Sequence, residues 1–143
     1  MSYTYEFPRP AVTVDCIIFT NDGNCLKVLL IKRKNEPFKG YFAFPGGFID
    51  IDEDIEDAAK RELEEETGMR NIELKQFTTV GTPGRDSRGR TISIFHIGFT
   101  NNNNMKITAG DDAAEAKWFA FDKIPEMAFD HKVILYKAIA QLS

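Results

Sequence analysis

The alternation of apolar and polar positions divides the chain into a series of strands and two helices. Residues 11–19 (AVTVDCIIF) and 25–33 (CLKVLLIKR) are rich in β-branched and aliphatic side chains, and each predicts a strand. Between them lies Asn21-Asp22-Gly23-Asn24, a strong turn signal, so the two runs are expected to pair as a hairpin. After a loop at 34–40 containing Pro37, residues 41–44 predict a short aromatic strand, stopped by Pro45-Gly46-Gly47. Residues 54–67 read as a helix, with Asp54 at the N-cap and Gly68 where a closing glycine belongs. Residues 74–80 and 91–100 predict two further strands, joined by a basic, glycine-containing loop at 81–90. A polar turn at 101–104 leads on, and residues 113–121, with the single tryptophan Trp118, predict another strand. Residues 130–142 predict a second helix, in which Val133, Ile134, Tyr136, Lys137 and Ile139 give an imperfect 3.6-residue period. No repeat or linker interrupts the series, so residues 1–143 read as one α/β domain, a sheet sandwiched between helices.

Composition narrows the class. At 143 residues and 43% apolar, the chain can bury a core without staples. Acids outnumber bases 22 to 18, which argues against a nucleic-acid partner. No run approaches the roughly 18 uncharged apolar residues of a membrane span, and residues 1–10 lack a signal peptide's apolar core. Cys16 and Cys25 are too few for a disulfide framework and read as core or strand residues, so a cytoplasmic location is expected.

The charge is concentrated. Residues 50–66 hold ten acids against Lys60 and Arg61, a net charge of −8, which leaves the remainder at +4. A solvated helix would interleave lysines at i+4, whereas here Glu62 faces Glu65 and Glu66 at neighbour spacing. At about 100° per residue, Glu62, Glu65 and Glu66 share roughly 100° of arc, beside Ala58, Ala59 and Leu63, with Glu64 on the far side. Half-sheltered like charges are tolerated when a cation fills the gap, and oxygen ligands select Mg²⁺ or Mn²⁺. Calcium is disfavoured for want of an Asp-x-Asp-x-Asp-Gly loop, and zinc because His96, His131 and the cysteines lack ligand spacing.

The segment from Gly47 resembles the Nudix box, Gly-x5-Glu-x7-Arg-Glu-U-x-Glu-Glu-x-Gly-U with U aliphatic. Gly47, Glu53, Arg61, Glu62, Leu63, Glu65, Glu66, Gly68 and Met69 meet all nine specified positions. The Tyr-Phe-Ala-Phe-Pro-Gly-Gly entry and the Trp118-Phe119 strand followed by Ile124-Pro125 are similar to the family as well. Asp52, where relatives often carry glycine, departs from it. The resemblance implies an α/β/α sandwich with a mixed sheet and Mg²⁺-dependent hydrolysis of a nucleoside diphosphate derivative. It implies that Glu62, Glu65, Glu66 and the Gly46 carbonyl hold the metal, that Glu53 and Arg61 pair to orient those carboxylates, and that Glu65 accepts a proton. Many relatives add an acid from outside the box. The candidates are Asp111, Asp112 and Glu115, with Asp112 first.

The loop Gly84-Arg85-Asp86-Ser87-Arg88-Gly89-Arg90 and the segment Ala128-Phe129-Asp130-His131 resemble the ADP-ribose pyrophosphatase subgroup. On that reading Arg85 and Arg90 clamp a second phosphate or a terminal ribose, Arg33 reaches a phosphate, and Phe42 or Tyr41 stacks on a base. His131, one residue into its helix, reads as a surface or capping residue. The expected substrate is ADP-ribose or a related nucleotide sugar. The alternatives are a nucleoside triphosphate pyrophosphohydrolase that sanitises oxidised nucleotides, and a ligand-sensing domain without turnover. The box acids are all kept and the chain ends soon after the second helix, which favours an enzyme. A homodimer is compatible with the subgroup resemblance.

Overall fold

The computed structural model describes residues 2–101 and 113–142. Asp111 and Asp112, and most of the expected polar turn at 101–104, lie outside the described residues. Strands β1 (Ala11–Asp22) and β2 (Cys25–Arg33) form the expected hairpin, with Asp22 opposite Cys25 across a Gly23-Asn24 turn. There follow β3 (Phe42–Ala43), β4 (Gly46–Phe48), α1 (Ile55–Thr67), β5 (Lys75–Val80), β6 (Thr91–Thr100) and β7 (Ala113–Ala120). A short 3₁₀ turn (Phe121–Lys123) leads to α2 (His131–Gln141).

The sheet runs β3-β2-β1-β6-β5, with β7 on the outer side of β2 and β4 on β1. β1 and β6 are parallel over ten residue pairs while every other strand pairing is antiparallel, so the sheet is mixed. Positions 13–20 of β1 are buried without interruption, as expected of a central strand covered on both faces. Ile17 and Phe19 pack with Ile134, Leu135 and Ala138 of α2. Val14, Cys16 and Ile18 pack on the other face with Ala58, Ala59 and Leu63 of α1. Period-two alternation along one strand thus feeds two cores, one under each helix. Among the described residues no helix is long and apolar enough to cross a membrane.

The site is positioned by a fork. β1 pairs with β2 only over Phe19–Asp22, and nearer the start of β1 the same edge, Thr13–Asp15, pairs with β4 instead. Gly46 and Gly47, expected to help stop a strand, therefore form one of their own with Phe48. Glycine makes this fit. A Cβ on Gly46 would overlap the Val14 carbonyl oxygen and stand 2.5 Å from Asp15 Oδ1. A Cβ on Gly47 would come within 2.7 Å of the Glu62 carboxyl group. Helix α1 opens with Asp54 accepting from the Ile55 amide at 3.0 Å and closes on Gly68 at φ 78°, a left-handed cap. In α2 the buried face is His131, Ile134, Leu135 and Ala138, whereas Val133 and Tyr136 of the expected stripe are exposed.

Candidate active site

At the mouth of the fork lies a cavity of about 430 Å³, lined by β1, the loops on either side of β3 and β4, α1, the basic loop before β6 and the start of α2. Both acidic and basic side chains line it. On the acidic wall, Glu62 and Glu66 are 8% and 5% exposed and turn toward the Gly46-Gly47 backbone. The Gly46 amide donates to Glu66 Oε1 at 3.3 Å. Burial, reinforced by the charge of neighbouring Glu62, pushes the Glu66 carboxyl well above the usual carboxylate range. Burial raises Glu62 too, against the pull of Arg61.

Arg61 organises the rest of this wall. Its Nε and Nη2 form a fork with the Glu53 carboxylate at 2.6 and 2.9 Å. Nη1 donates to Glu62 at 2.8 Å and to Glu65 at 3.1 Å, and Nη2 reaches the Phe48 carbonyl at 3.3 Å. The hydrogen bonds from Arg61 hold Glu53 below its ordinary value, and the carboxylates around it raise Arg61. One guanidinium therefore orients three box acids. Glu53 also accepts from the Asp50 amide, which pins the loop before α1.

The donor set here is oxygen only, two of its carboxylates are buried beside each other, and Gly46 and Gly47 let β1 and the Glu62 carboxyl group close up against their backbone. These features fit a hard divalent cation such as Mg²⁺ or Mn²⁺. Among the described residues no three acid, His or Cys side chains are already gathered into a ligand cage. The Glu65 carboxylate lies on Arg61, on the exposed side of α1.

On the basic wall, the Arg85 side chain is 6% exposed and bound to Asp130 through Nε (2.8 Å) and Nη2 (2.7 Å), with Nη1 on the Ser93 hydroxyl at 2.7 Å. Burial alone would raise Asp130, but the Arg85 hydrogen bonds and charge win and lower it. Arg88 forms an ion pair with Asp86 at 2.7 Å and lies over the rings of Phe48 and Phe129, 4.8 and 5.1 Å from their centroids. Arg33 approaches the Phe129 ring at 5.1 Å and donates to the Pro37 carbonyl at 2.7 Å. Phe129, between these two cations, has φ 55°, a left-handed conformation uncommon for a bulky side chain.

The structure brings together Gly46, Glu53, Arg61, Glu62, Glu65 and Glu66, and it places Arg33 and Arg85 at the same cavity. It does not bring Phe42 or Arg90 there. Phe42 pairs with Lys32 of β2, and its ring meets Phe119 edge-on at 4.9 Å in the core beneath α2. Arg90 is exposed at the start of β6, where its carbonyl accepts from the Ala11 amide. Tyr41 is also outside the cavity, with its ring against Phe38. Asp112 falls outside the described residues, and Glu115 is held by Lys32 and Lys117.

Residues that the sequence reading did not assign to the site fill the floor. His131 is buried rather than a surface cap, and Asp15, in mid-strand, is 6% exposed and faces it. Burial pushes Asp15 up to about 7, against the pull of the Thr13 hydroxyl and Arg85. One signal for Asp15 was available: a lone charge inside an otherwise apolar strand is expensive unless it has a use.

A NUDIX domain model matches residues 9–142, and the chain belongs to that family, the Nudix hydrolases. An ADP-ribose pyrophosphatase from Methanocaldococcus jannaschii is 46% identical over 127 residues, covering 89% of this chain and 72% of that protein. The ADPR responsive transcriptional repressor NtrR of Acinetobacter baylyi is 33% identical over 142 residues, covering 96% of this chain and 56% of the repressor. Among solved structures, the NUDIX domain of Shewanella oneidensis NrtR complexed with ADP ribose superimposes with a TM-score of 0.87 at 31% identity, covering 96% of this chain and 91% of that one. The mixed sheet between two helices is thus the Nudix α/β/α sandwich that the box resemblance implied.

Proposed function

We propose that this protein hydrolyses the diphosphate bridge of ADP-ribose or a closely related nucleotide sugar, with Mg²⁺ or Mn²⁺ as the required ion. The observation that carries the reading is the cavity's two-signed wall. Buried Glu62 and Glu66 line it together with Arg33, Arg85 and Arg88. A single phosphate would need only one of these walls. A diphosphate with a sugar on each side has charge for the metal wall and further oxygens for the basic wall. The Methanocaldococcus pyrophosphatase and the ADP-ribose complex of the Shewanella domain support the same ligand.

Glu62, Glu65 and Glu66 would hold the metal, with the Gly46 carbonyl beside them. Bound there, the ion would screen the diphosphate oxygens and lower the pKa of an attacking water. Arg61, anchored by Glu53, holds Glu62 at the cavity and Glu65 beside it. Glu65, the most exposed of the three, is the carboxylate best placed to take up a proton. Arg33 and Arg88 at the rim neutralise the remaining phosphate charge.

The test is AMP release from ADP-ribose with Mg²⁺, measured beside nucleoside triphosphates. AMP and ribose 5-phosphate as products carry the reading, and turnover of triphosphates alone overturns it. A second reading, a sensor that binds ADP-ribose and regulates, is supported by the Acinetobacter repressor. Tight binding of ADP-ribose with no turnover at any metal concentration would select it.

A further inference from the structure

We propose that His131 and Asp15 form a sugar-hydroxyl subsite on the cavity floor, in which His131 Nε2–H donates to a ribose hydroxyl and Asp15 accepts from it. The inference rests on the ADP-ribose reading above and deepens it. The Phe44 amide donates to His131 Nδ1 at 3.2 Å, so Nδ1 carries no proton and Nε2 must. The ring cannot turn to exchange these roles easily. It stacks on Phe44 (4.9 Å, 25°) and is flanked by Phe95 at 5.6 Å and Phe129 at 5.5 Å. Burial holds the imidazole neutral, down to about 3, and so a donor at Nε2 and not a base there.

Nε2 lies 3.9 Å from Asp15 Oδ1, too far for a hydrogen bond and close enough for one oxygen to bridge both. Both residues line the cavity. Asp15 is further fixed by the Thr13 hydroxyl, which donates to Oδ2 at 3.1 Å and itself meets the Ser93 hydroxyl. A donor facing an acceptor across such a gap matches a hydroxyl, which accepts and donates at once. A phosphate oxygen only accepts and would meet Asp15 unfavourably. ADP-ribose offers hydroxyls of this kind on two riboses, that of AMP and the terminal one.

The experiment uses His131→Asn, whose side-chain oxygen can still accept from the Phe44 amide but which has no donor at the Nε2 position. His131→Gln is the complement, since it returns an amide donor near Nε2 and forfeits the Phe44 bond. With the wild type hydrolysing ADP-ribose, His131→Asn should raise KM about three- to tenfold with a smaller change in kcat, as befits one lost hydrogen bond. His131→Gln should recover part of that loss even if its melting temperature is the lower of the two. Product inhibition separates the two sources of the hydroxyl: the Asn variant should weaken inhibition by AMP or by ribose 5-phosphate, but not by both. An unchanged KM in a folded Asn variant overturns the subsite. So does a fall in kcat alone, which would mean that the pair holds water, and so does equal weakening for both products, which would point to their shared phosphate. Absence of AMP release by the wild type would instead bring down the ADP-ribose reading itself.

Discussion

Replacing Arg85 by methionine separates two roles that the structure gives one side chain. Arg85 lines the cavity, yet its guanidinium is committed to Asp130 by two hydrogen bonds and to Ser93 by a third. Methionine keeps most of the aliphatic stem and leaves Asp130 without its partner at the first turn of α2. Stranding one member of a fully buried ion pair costs about 3–5 kcal/mol. Here the Asp130 side chain is 27% exposed, and water can take part of the load. A loss of about 2–3 kcal/mol is therefore expected, which at about 2–4 °C per kcal/mol is a fall in melting temperature of about 4–12 °C. Urea unfolding measures it, and Asp130→Asn and the double variant complete a cycle. The double variant should be more stable than the sum of the singles requires, by about 1–2 kcal/mol, because it strands neither charge. Additive singles, or a loss below about 0.5 kcal/mol for Arg85→Met, would refute the argument that this pair ties the basic loop to α2.

Other consequences follow from the acidic wall. Glu66→Gln should lower turnover by about a hundredfold or more, since even the outer partners of a metal site are worth about ten- to a hundredfold. The same change should raise the melting temperature of the metal-free protein, because it removes a buried carboxyl raised by burial and by Glu62. Glu65→Gln should cut turnover comparably with little change in stability; a near-normal rate in either variant removes that residue from the mechanism. The metal-free protein should lose stability as pH rises above about 6.5. Asp15, raised to about 7, and Glu62 and Glu66, raised as well, bind protons more tightly folded than unfolded, so stability is lost as they ionise. His131 acts in the opposite sense, but only between about 3 and the ordinary histidine value of 6.5, and it is silent above that. Mg²⁺ should therefore stabilise more at pH 8 than at pH 6.5 and release protons on binding, which calorimetry in buffers of different ionisation enthalpy reads directly; equal shifts at both pH values with no proton release would contradict this.

What could be read from the sequence divides along a physical line. The box acids were legible because their geometry is local: Glu62, Glu65 and Glu66 are within one turn of each other on a helix whose cap and closing glycine are written in the same segment. Burial of Ile17 against α2 and of Cys16 against α1 was legible only as apolar pattern, since the pattern does not say which helix covers which face. β4 was misread because Pro-Gly-Gly is ordinarily a turn, and only the close approach of β1, with Val14 and Asp15 against Gly46, makes those glycines a strand. Phe42 was read as a ring to stack on a base and Arg90 as one of three arginines in the basic loop, whereas the fold turns Phe42 into the core beneath α2 and leaves Arg90 outside the cavity. The floor of the cavity was hidden for a related reason. Asp15, Phe44 and His131 are far apart in the chain and meet only because β1 splays from β2 and α2 starts beneath the gap. The box supplies the metal wall and is shared in pattern across the family, so it cannot by itself choose a substrate. The choice must lie in the non-local floor and the basic wall, where a buried donor, a buried acceptor and three arginines meet, and substitutions there should alter which nucleotide is bound while those in the box alter whether anything is cleaved.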